Sequence, residues 1–232
     1  MIFFTILSVL CICTILIISA IQRYKRYILS KKCLSHQTAV ERLGNWYDGV
    51  DIFSTLNIDI IAVENKVDNT LYGEITYQGM QALAKKLKLS SSDVFYDLGC
   101  GLGKLVVYMY LVSPIKKSVG IEMVGQRYKE ASLMLQLLTD DELLDPNREL
   151  LFIHNNIRNE NFSDATVIFM SSLCFSNELM EELKQRFSKL KKGLRVISLI
   201  PLPKNTSLSL KDIDYLPMSW TDTSRIYYYE LT

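Results

Sequence analysis

The stretch Asp97-Leu98-Gly99-Cys100-Gly101-Leu102-Gly103-Lys104 decides the fold of this chain. It lies between an apolar run typical of a buried strand, Val94–Leu98, and an apolar helical pattern at Lys104–Val112. A glycine-rich loop in that position lets the backbone turn tightly and approach a ligand closely at the start of the helix. The stretch therefore predicts a nucleotide-type ligand site at the carboxyl end of a strand.

The spacing within this loop distinguishes between classes of cofactor. Dinucleotide-binding loops follow G-x-G-x-x-G and place a pyrophosphate at the helix start, whereas here the pattern is G-x-G-x-G with Asp97 two residues before Gly99. An acid that points into the loop repels phosphate but suits an ammonium group, such as that of S-adenosylmethionine. Glu122 follows Gly103 by 19 residues and ends the next predicted strand, where its carboxylate can accept hydrogen bonds from both ribose hydroxyls. The alternative is a simple glycine turn and an unrelated surface acid. We assign cofactor contacts to Asp97, Gly99, Gly101, Gly103 and Glu122.

Outside the loop, strand and helix patterns alternate along the chain. After a helix at 77–87, the pattern predicts strands at 94–98, 118–122, 150–154, 166–170 and 195–199 and helices at 104–112, 126–138 and 177–190. Alternation at this spacing predicts βαβ units, a parallel sheet and helices on both faces. The last two strands, Leu208–Leu216 and Arg225–Leu231, follow each other without a helix, which is typical of a closing antiparallel hairpin. The predicted fold class is therefore α/β, with a seven-stranded Rossmann-like sheet.

Composition and charge exclude several classes of protein. Of 232 residues, 49% are hydrophobic and only 15 are Gly or Pro, so neither a disordered nor a collagen-like chain is expected. Five basic residues lie within 23–32, and without them 21 Lys and Arg stand against 25 Asp and Glu, a net charge of −4 from Cys33 onward. This balance argues against a broad basic surface for nucleic acid. The five cysteines form no C-x-x-C pair, which argues against a disulfide framework or a zinc ribbon, and no metal site is expected.

The chain begins with an apolar run, Ile2–Ile21, that contains no charged residue. As a helix this run would span roughly 30 Å, the thickness of the hydrocarbon core of a membrane. We expect a transmembrane anchor rather than a cleaved signal peptide, since the run lacks the basic start and the small-x-small cleavage site of a signal peptide. The basic residues that follow the run predict a cytoplasmic body. The expected organisation is an anchor at 1–22, a basic segment with short lead-in helices at 23–70 and the main domain at 71–232.

Several further stretches resemble those of a known family. The glycine loop and Glu122 are similar to those of class I S-adenosylmethionine-dependent methyltransferases. The order of the weaker matches resembles the catalytic domain of the disruptor-of-telomeric-silencing histone lysine methyltransferases, over roughly Leu71 to Leu231. These matches are Tyr72-Gly73-Glu74, Ala165–Met170 followed by Phe175, Leu183–Phe187, Lys192–Ser198 and Ser219-Trp220-Thr221. The resemblance implies a methyltransferase sheet, S-adenosylmethionine as cofactor and the lysine amine of a protein as acceptor.

The resemblance also implies roles for residues outside the glycine loop. Glu74 would hold the amino-acid end of the cofactor and Asn156 would lie near its adenine, although a helix-entry residue and a turn residue are the alternatives on sequence alone. Tyr72, Phe175 and Trp220 are candidate walls of a methyl-transfer channel, with an ordinary core position as the alternative for Phe175.

Two departures from the family bear on the acceptor. The family carries paired asparagines after its fourth strand, where this chain has Ser171-Ser172, and either hydroxyl could orient the acceptor nitrogen. The lysine-rich segment with which the family grips nucleosomal DNA is missing, and the short basic run here adjoins the apolar run. We therefore expect a membrane-proximal protein lysine as acceptor and not the nucleosome. A small-molecule or lipid-head methyltransferase and a cofactor-binding scaffold without transfer activity stay open as alternatives.

Overall fold

The computed structural model describes residues 14, 16–21, 33–47, 73–204 and 207–232. The helices from residue 33 onward are α1 (His36–Tyr47), α2 (Tyr77–Leu87), α3 (Lys104–Val112), α4 (Gly125–Asp140) and α5 (Asn177–Phe187). The strands are β1 (Val94–Leu98), β2 (Lys117–Glu122), β3 (Glu149–His154), β4 (Val167–Met170), β5 (Arg195–Ser198), β6 (Leu208–Met218) and β7 (Thr221–Leu231). A single 3-10 turn, Ser172–Cys174, lies between β4 and α5.

The seven strands form one sheet in the order β3-β2-β1-β4-β5-β7-β6. Strands β1 to β5 pair in parallel, and β7 inserts antiparallel between β5 and β6. The chain builds outward from β1 to β3 and then crosses back to place β4 on the other side of β1. Such a reversal leaves a crevice at the carboxyl ends of the two central strands, where open α/β sheets bind ligands. The predicted α/β class, the seven-stranded Rossmann-like sheet and its antiparallel hairpin are confirmed.

Each face of the sheet has its own apolar core. All five residues of β1 are buried, because a central parallel strand is covered by helices on both sides. Phe95 belongs to the core shared with α1, α2, α3 and α4, whereas Tyr96 belongs to the core shared with α5. Helix α5 contributes Met180, Leu183 and Phe187 to the second core, at the spacing of one helical face. The two cores hold the carboxyl ends of β1, β2 and β4 in fixed positions relative to one another.

The last helix of the alternating region is shorter than predicted. Helix α5 ends at Phe187 and not at Leu190, because the N–H groups of Lys189 and Leu190 bond to carbonyls only three residues back, at Arg186 and Phe187. These shorter-range bonds tighten the chain and end the α-helix.

The hairpin strands are longer than predicted. Strand β6 continues through Pro217 to Met218, and a two-residue turn, Ser219-Trp220, leads directly into β7. The pairing register shifts between Leu216 and Met218, so Pro217 lies in a bulge and its missing N–H interrupts no ladder bond. The turn at the end of the hairpin follows this bulge directly.

Most of the predicted anchor lies outside the described residues. Of positions 1–22, the structure describes residue 14 and residues 16–21, which are helical. In the described parts of the chain, no helix combines the length and the apolar character that a membrane crossing needs. Of the lead-in helices expected at 35–69, α1 is described. The proposed boundaries at 22/23 and 70/71 fall outside the described ranges, so the division into segments stays a prediction.

Candidate functional site

A cavity of about 570 Å³ opens at the carboxyl edge of the sheet, at the crossover beside β1. The glycine loop, the ends of β2 and β4, the segment before α2 and the tip of the β6–β7 hairpin all contribute to it. The predicted residues that line it are Glu74, Asp97, Gly99, Gly101, Glu122, Asn156, Ser171, Phe175 and Trp220. The fold thus brings together, around one cavity, residues that are spread from position 74 to position 220. Tyr72, the remaining candidate for the channel wall, lies outside the described residues.

Gly103 has a different role from the one predicted. Gly99 and Gly101 line the cavity, whereas Gly103 is not among its lining residues. Gly103 has a φ of 78°, which side-chain-bearing residues rarely adopt, and a Cβ built there would lie 2.5 Å from the ring of Phe152. The prediction of a cofactor contact is therefore corrected. Gly103 is glycine because the start of α3 passes in close contact with β3.

Glu122 ends β2 with its carboxylate buried and held by the backbone. Oε2 accepts a hydrogen bond from the N–H of Gly101 at 2.8 Å, and Oε1 accepts from the N–H groups of Met123 and Val124 at 3.0 and 2.8 Å. Three of roughly four acceptor positions on the carboxylate are therefore used. The remaining position, on Oε2, can serve one ribose hydroxyl, whereas the sequence suggested that both hydroxyls would bind.

Asp97 is the second carboxyl group of the site and differs from Glu122 in its partners. The side chain lines the cavity at the end of β1, and the residue is only 4% exposed. Within the described residues no group donates a hydrogen bond to its carboxyl oxygens. Burial, and then the negative charge of Glu122, raise the pKa of Asp97 to about 8. A positively charged ligand beside this carboxyl group would stabilise its ionised form.

Glu74 forms an ion pair with a lysine that the sequence analysis did not assign to the site. Lys104, the first residue of α3, places its Nζ 2.6 Å from Oε2 of Glu74 and 4.8 Å from the ring centre of Tyr47. Burial raises the pKa of Glu74, and the positive charge of Lys104 opposes that rise. Lys104 directly follows the last glycine of the loop, and this position at a helix start was the available signal for it. The pair forms one end of the cavity.

The hairpin tip is joined to the segment before α2. The N–H of Ser219 donates to the carbonyl of Glu74 at 2.7 Å, and the N–H of Glu74 donates to Oγ of Ser219 at 3.0 Å. A Cβ on Gly73 would lie 2.2 Å from the ring of Trp220, so the indole packs directly on the Gly73 backbone. Trp220 keeps 43% of its surface exposed. These contacts place Glu74 and Trp220 side by side on the cavity wall.

The structure separates the two serines that follow β4. Ser171 lines the cavity, as the predicted orienting residue should. Ser172 is completely buried, and its hydroxyl lies 2.7 Å from Oγ of Ser198 and accepts from the N–H of Ile200 at 3.3 Å. The assignment of Ser172 to the site is therefore corrected, because its side chain ties β4 to the end of β5. Phe175 does line the cavity, close to Gly99.

Asn156 lines the cavity from the loop after β3. Its Oδ1 accepts from the N–H of Arg158 at 2.9 Å, so the side chain stabilises a turn. Arg158 also lines the cavity and forms an ion pair with Glu182 of α5. Asn156 therefore both stabilises a turn and lines the cavity.

The cavity has further polar and apolar residues that the sequence analysis missed. Arg127, in the first turn of α4, lines the cavity, and burial lowers the pKa of its guanidinium against the opposing effect of Glu122. Cys100 and Cys174 also line it, and burial is the main reason that the pKa of each thiol is raised. Leu173 is half exposed at the rim. No sequence pattern identified these four residues.

Neither histidine lines the cavity. His154 stacks on Tyr128 with ring centres 4.9 Å apart, and its Nε2 lies 3.2 Å from the carbonyl of Met123. Nδ1 of His36 lies 2.8 Å from the hydroxyl of Tyr108. Across the described ranges, no three His, Cys, Asp or Glu side chains are grouped as a metal site requires.

A model of one protein family, described as Histone methylation protein DOT1, matches residues 63–230. The match covers well over half of the chain and includes every residue of the cavity. The chain belongs to the DOT1 family. The predicted resemblance is thereby confirmed.

Two relatives illustrate how much sequence is shared. The chain is 30% identical over 145 residues to the histone-lysine N-methyltransferase, H3 lysine-79 specific, of Drosophila melanogaster, a match that covers 55% of this chain and 7% of that protein. It is 32% identical over 111 residues to a protein-lysine N-methyltransferase of Saccharolobus islandicus, which covers 48% of this chain and 64% of that protein. The chain thus spans less than two thirds of either relative.

Two solved structures are similar to this chain in fold. The tRNA methyltransferase TrmK of B. subtilis superposes with a TM-score of 0.50 at 15% identity, over 67% of this chain and 66% of that one. TrmN from Thermus thermophilus gives a TM-score of 0.50 at 17% identity, over 66% of this chain and 48% of that one. At this level of identity the likeness concerns the arrangement of strands and helices.

Proposed function

We propose that this chain is an S-adenosylmethionine-dependent methyltransferase whose acceptor is the lysine amine of a protein. Membership in the DOT1 family supports the proposal, as do the names of the Drosophila and Saccharolobus relatives. The single observation that carries it is the carboxyl group of Asp97, which is buried and faces the cavity beside the glycine loop without a donor among the described residues. Such a group is stabilised by a cationic ligand.

The donor sets around the cavity fit this cofactor. Asp97 and Glu74 would hold its ammonium group, and Lys104 would meet its carboxylate. The free acceptor position of Glu122 would bind a ribose hydroxyl, and the loop at Asn156 would lie near the adenine. When bound, S-adenosylmethionine supplies an electrophilic methyl group on a positively charged sulfur.

The acceptor end of the cavity fits an amine that arrives uncharged. Methyl transfer is an in-line displacement in which position contributes most of the rate enhancement. Phe175 and Trp220 provide aromatic walls there, and a low-polarity channel lowers the pKa of an entering lysine amine by desolvation. The hydroxyl of Ser171 can accept a hydrogen bond from the amine and orient its lone pair. Exposed Leu173 and Trp220 at the rim suit contact with a polypeptide.

The sequence adds a proposal about location. Residues 2–21 are uncharged and apolar, and five basic residues follow them within 23–32. We propose that this segment anchors the protein in a membrane, with the main domain on the cytoplasmic side and the acceptor lysine on a protein close to that membrane. The net charge of −4 from Cys33 onward and the replacement of the family's asparagine pair support an acceptor other than the nucleosome.

Labelled methyl transfer tests the activity and the acceptor class together. The full chain, in mild detergent, is incubated with S-adenosylmethionine carrying a labelled methyl group and with separate protein, lipid and metabolite fractions of its host. We expect label on lysine in the protein fraction and none with Gly101→Arg, whose side chain fills the space above the loop. Label in the lipid or metabolite fraction alone would disprove a lysine acceptor, and strong labelling of intact nucleosomes at physiological salt would disprove the membrane-proximal one.

Deletion of residues 2–21 tests the anchor. The shortened protein should bind S-adenosylhomocysteine as tightly as the full chain, since none of the described residues among 2–21 lines the cavity. Methylation of the cellular target should fall sharply, because the anchor supplies effective concentration. Unchanged methylation of the target in cells would contradict the proposed role of the segment.

A further inference from the structure

The two buried carboxyl groups of the cavity have very different surroundings. Glu122 accepts from three backbone N–H groups, those of Gly101, Met123 and Val124. Asp97, at the end of the neighbouring strand, accepts a hydrogen bond from no described residue. It is nevertheless almost completely buried, with 4% of its surface exposed. Two ionised carboxylates side by side in a buried site repel each other, and neither is fully hydrated. Because Asp97 has no such donors among the described residues, its ionised form is poorly stabilised.

The other charged groups around the cavity do not relieve Asp97. Lys104 is held by Glu74 at 2.6 Å, and Arg158 is held by Glu182. Arg127 opposes the charge of Glu122 from α4. The thiol of Cys100, next in the loop, is kept protonated because burial raises its pKa. The influences that raise the pKa of Asp97, to about 8, are burial and the charge of Glu122.

We propose that the protein without cofactor holds one proton on Asp97 and releases it to solvent when the ammonium group of the cofactor binds. This inference rests on the proposed function, because it takes the cofactor to be the cationic ligand. The change is Asp97–COOH to Asp97–COO⁻ and one H⁺, with no covalent bond to the ligand. The positive ammonium replaces the proton as the charge that offsets Glu122. Cofactor affinity therefore depends on pH near neutrality.

Isothermal titration calorimetry with S-adenosylhomocysteine tests the inference, since this ligand has the amino-acid end but no transferable methyl group. The full chain is titrated between about pH 5.5 and pH 6.7, where the α-ammonium of the ligand stays charged. The dissociation constant should fall about tenfold for each unit by which the pH is raised, which is the slope expected when binding releases one proton. Repeating the titration in buffers of different ionisation enthalpy counts the protons directly, without any substitution, and should give close to one.

Two isosteric variants locate the proton. Asp97→Asn should bind with little pH dependence, whereas Glu74→Gln should keep the slope, because Glu74 is already paired with Lys104. A slope that disappears in Glu74→Gln and persists in Asp97→Asn would place the proton on Glu74 and overturn the inference. An infrared carbonyl band of a protonated carboxyl group should be present in the free protein, disappear on adding S-adenosylhomocysteine and be missing in Asp97→Asn.

The outcomes separate this inference from the function on which it rests. Binding of S-adenosylhomocysteine with no proton released would overturn the proton exchange and leave the methyltransferase proposal intact. No binding at any pH would overturn the proposed function, and the inference with it.

Discussion

Replacing Gly103 by alanine tests whether this glycine is required for packing. Two costs are expected in Gly103→Ala. The φ of 78° costs an L residue about 1–2 kcal/mol. The new Cβ also lies 2.5 and 2.6 Å from two ring carbons of Phe152 and 3.1 Å from Cβ of Ala131, and overpacking of this kind costs about 1–3 kcal/mol. We expect the free energy of unfolding to fall by about 2–5 kcal/mol.

Gly193 provides a matched control for the backbone term. Its φ is 85°, and a Cβ there would have no atom within 4 Å, so Gly193→Ala should cost only the backbone term of about 1–2 kcal/mol. Urea unfolding of the full-chain variants measures both losses. In the Gly103→Ala background, Phe152→Leu should recover stability or cost less than it does in the wild type, a coupling expected of neighbouring residues. Equal losses for the two glycine variants, with no coupling to Phe152, would refute the close-packing explanation.

Three other substitutions have expected outcomes. Glu122→Ala should weaken S-adenosylhomocysteine binding by about 1–3 kcal/mol in calorimetry, because a buried acceptor for a ribose hydroxyl is lost; a loss near zero would make Glu122 a purely structural acid. In Gly73→Ala the new Cβ would lie 2.2 Å from the Trp220 ring, so the indole should be displaced and the KM for the acceptor should rise several-fold at unchanged S-adenosylhomocysteine affinity. An unchanged acceptor KM would show that Trp220 does not form part of the channel. Burial alone would raise the pKa of Asp93, but its hydrogen bonds and the Arg195 guanidinium outweigh burial and lower the pKa. The carboxylate therefore stabilises the folded state fully above the pKa of an unfolded aspartate, about 4, and this contribution is lost as the pH falls through the lower folded-state pKa. Asp93→Asn should therefore cost about 1–3 kcal/mol at neutral pH, and its deficit should close in acid-range unfolding curves; a deficit that persists at low pH would contradict this.

The central elements could be predicted from sequence to the residue. The predicted and observed bounds coincide for α2, β1 and α3, because each is set by neighbouring residues. Thr76 caps α2 by accepting from the N–H of Gly79, and Gly103 in the left-handed conformation precedes α3. The ends of α5 and of the hairpin were misplaced, since a bulge at Pro217 and a tightened last turn leave no local pattern.

The site was predictable as a set of strand-end residues but not as a set of contacts. The glycine loop, Asp97 and Glu122 follow directly from residue type and spacing, and parallel strands bring their carboxyl ends to one edge. The directions of adjacent serines do not follow in this way. The 3-10 turn after β4 points Ser172 toward Ser198 and leaves Ser171 at the cavity.

The sequence by itself determined the α/β fold, the position of the glycine loop and the acids on either side of it, because periodicity and glycine spacing act over a few residues. Only the tertiary structure decided that Lys104 pairs with Glu74 and that Gly103 contacts Phe152. It also decided that, within the described part of the chain, three backbone donors go to Glu122 and none to Asp97. Each of these depends on strand order and register, which join residues from distant parts of the chain. The energies of a buried ion pair, a crowded glycine and a buried carboxyl group depend on distances of a few ångströms, and those distances are fixed only when the two cores pack on the sheet.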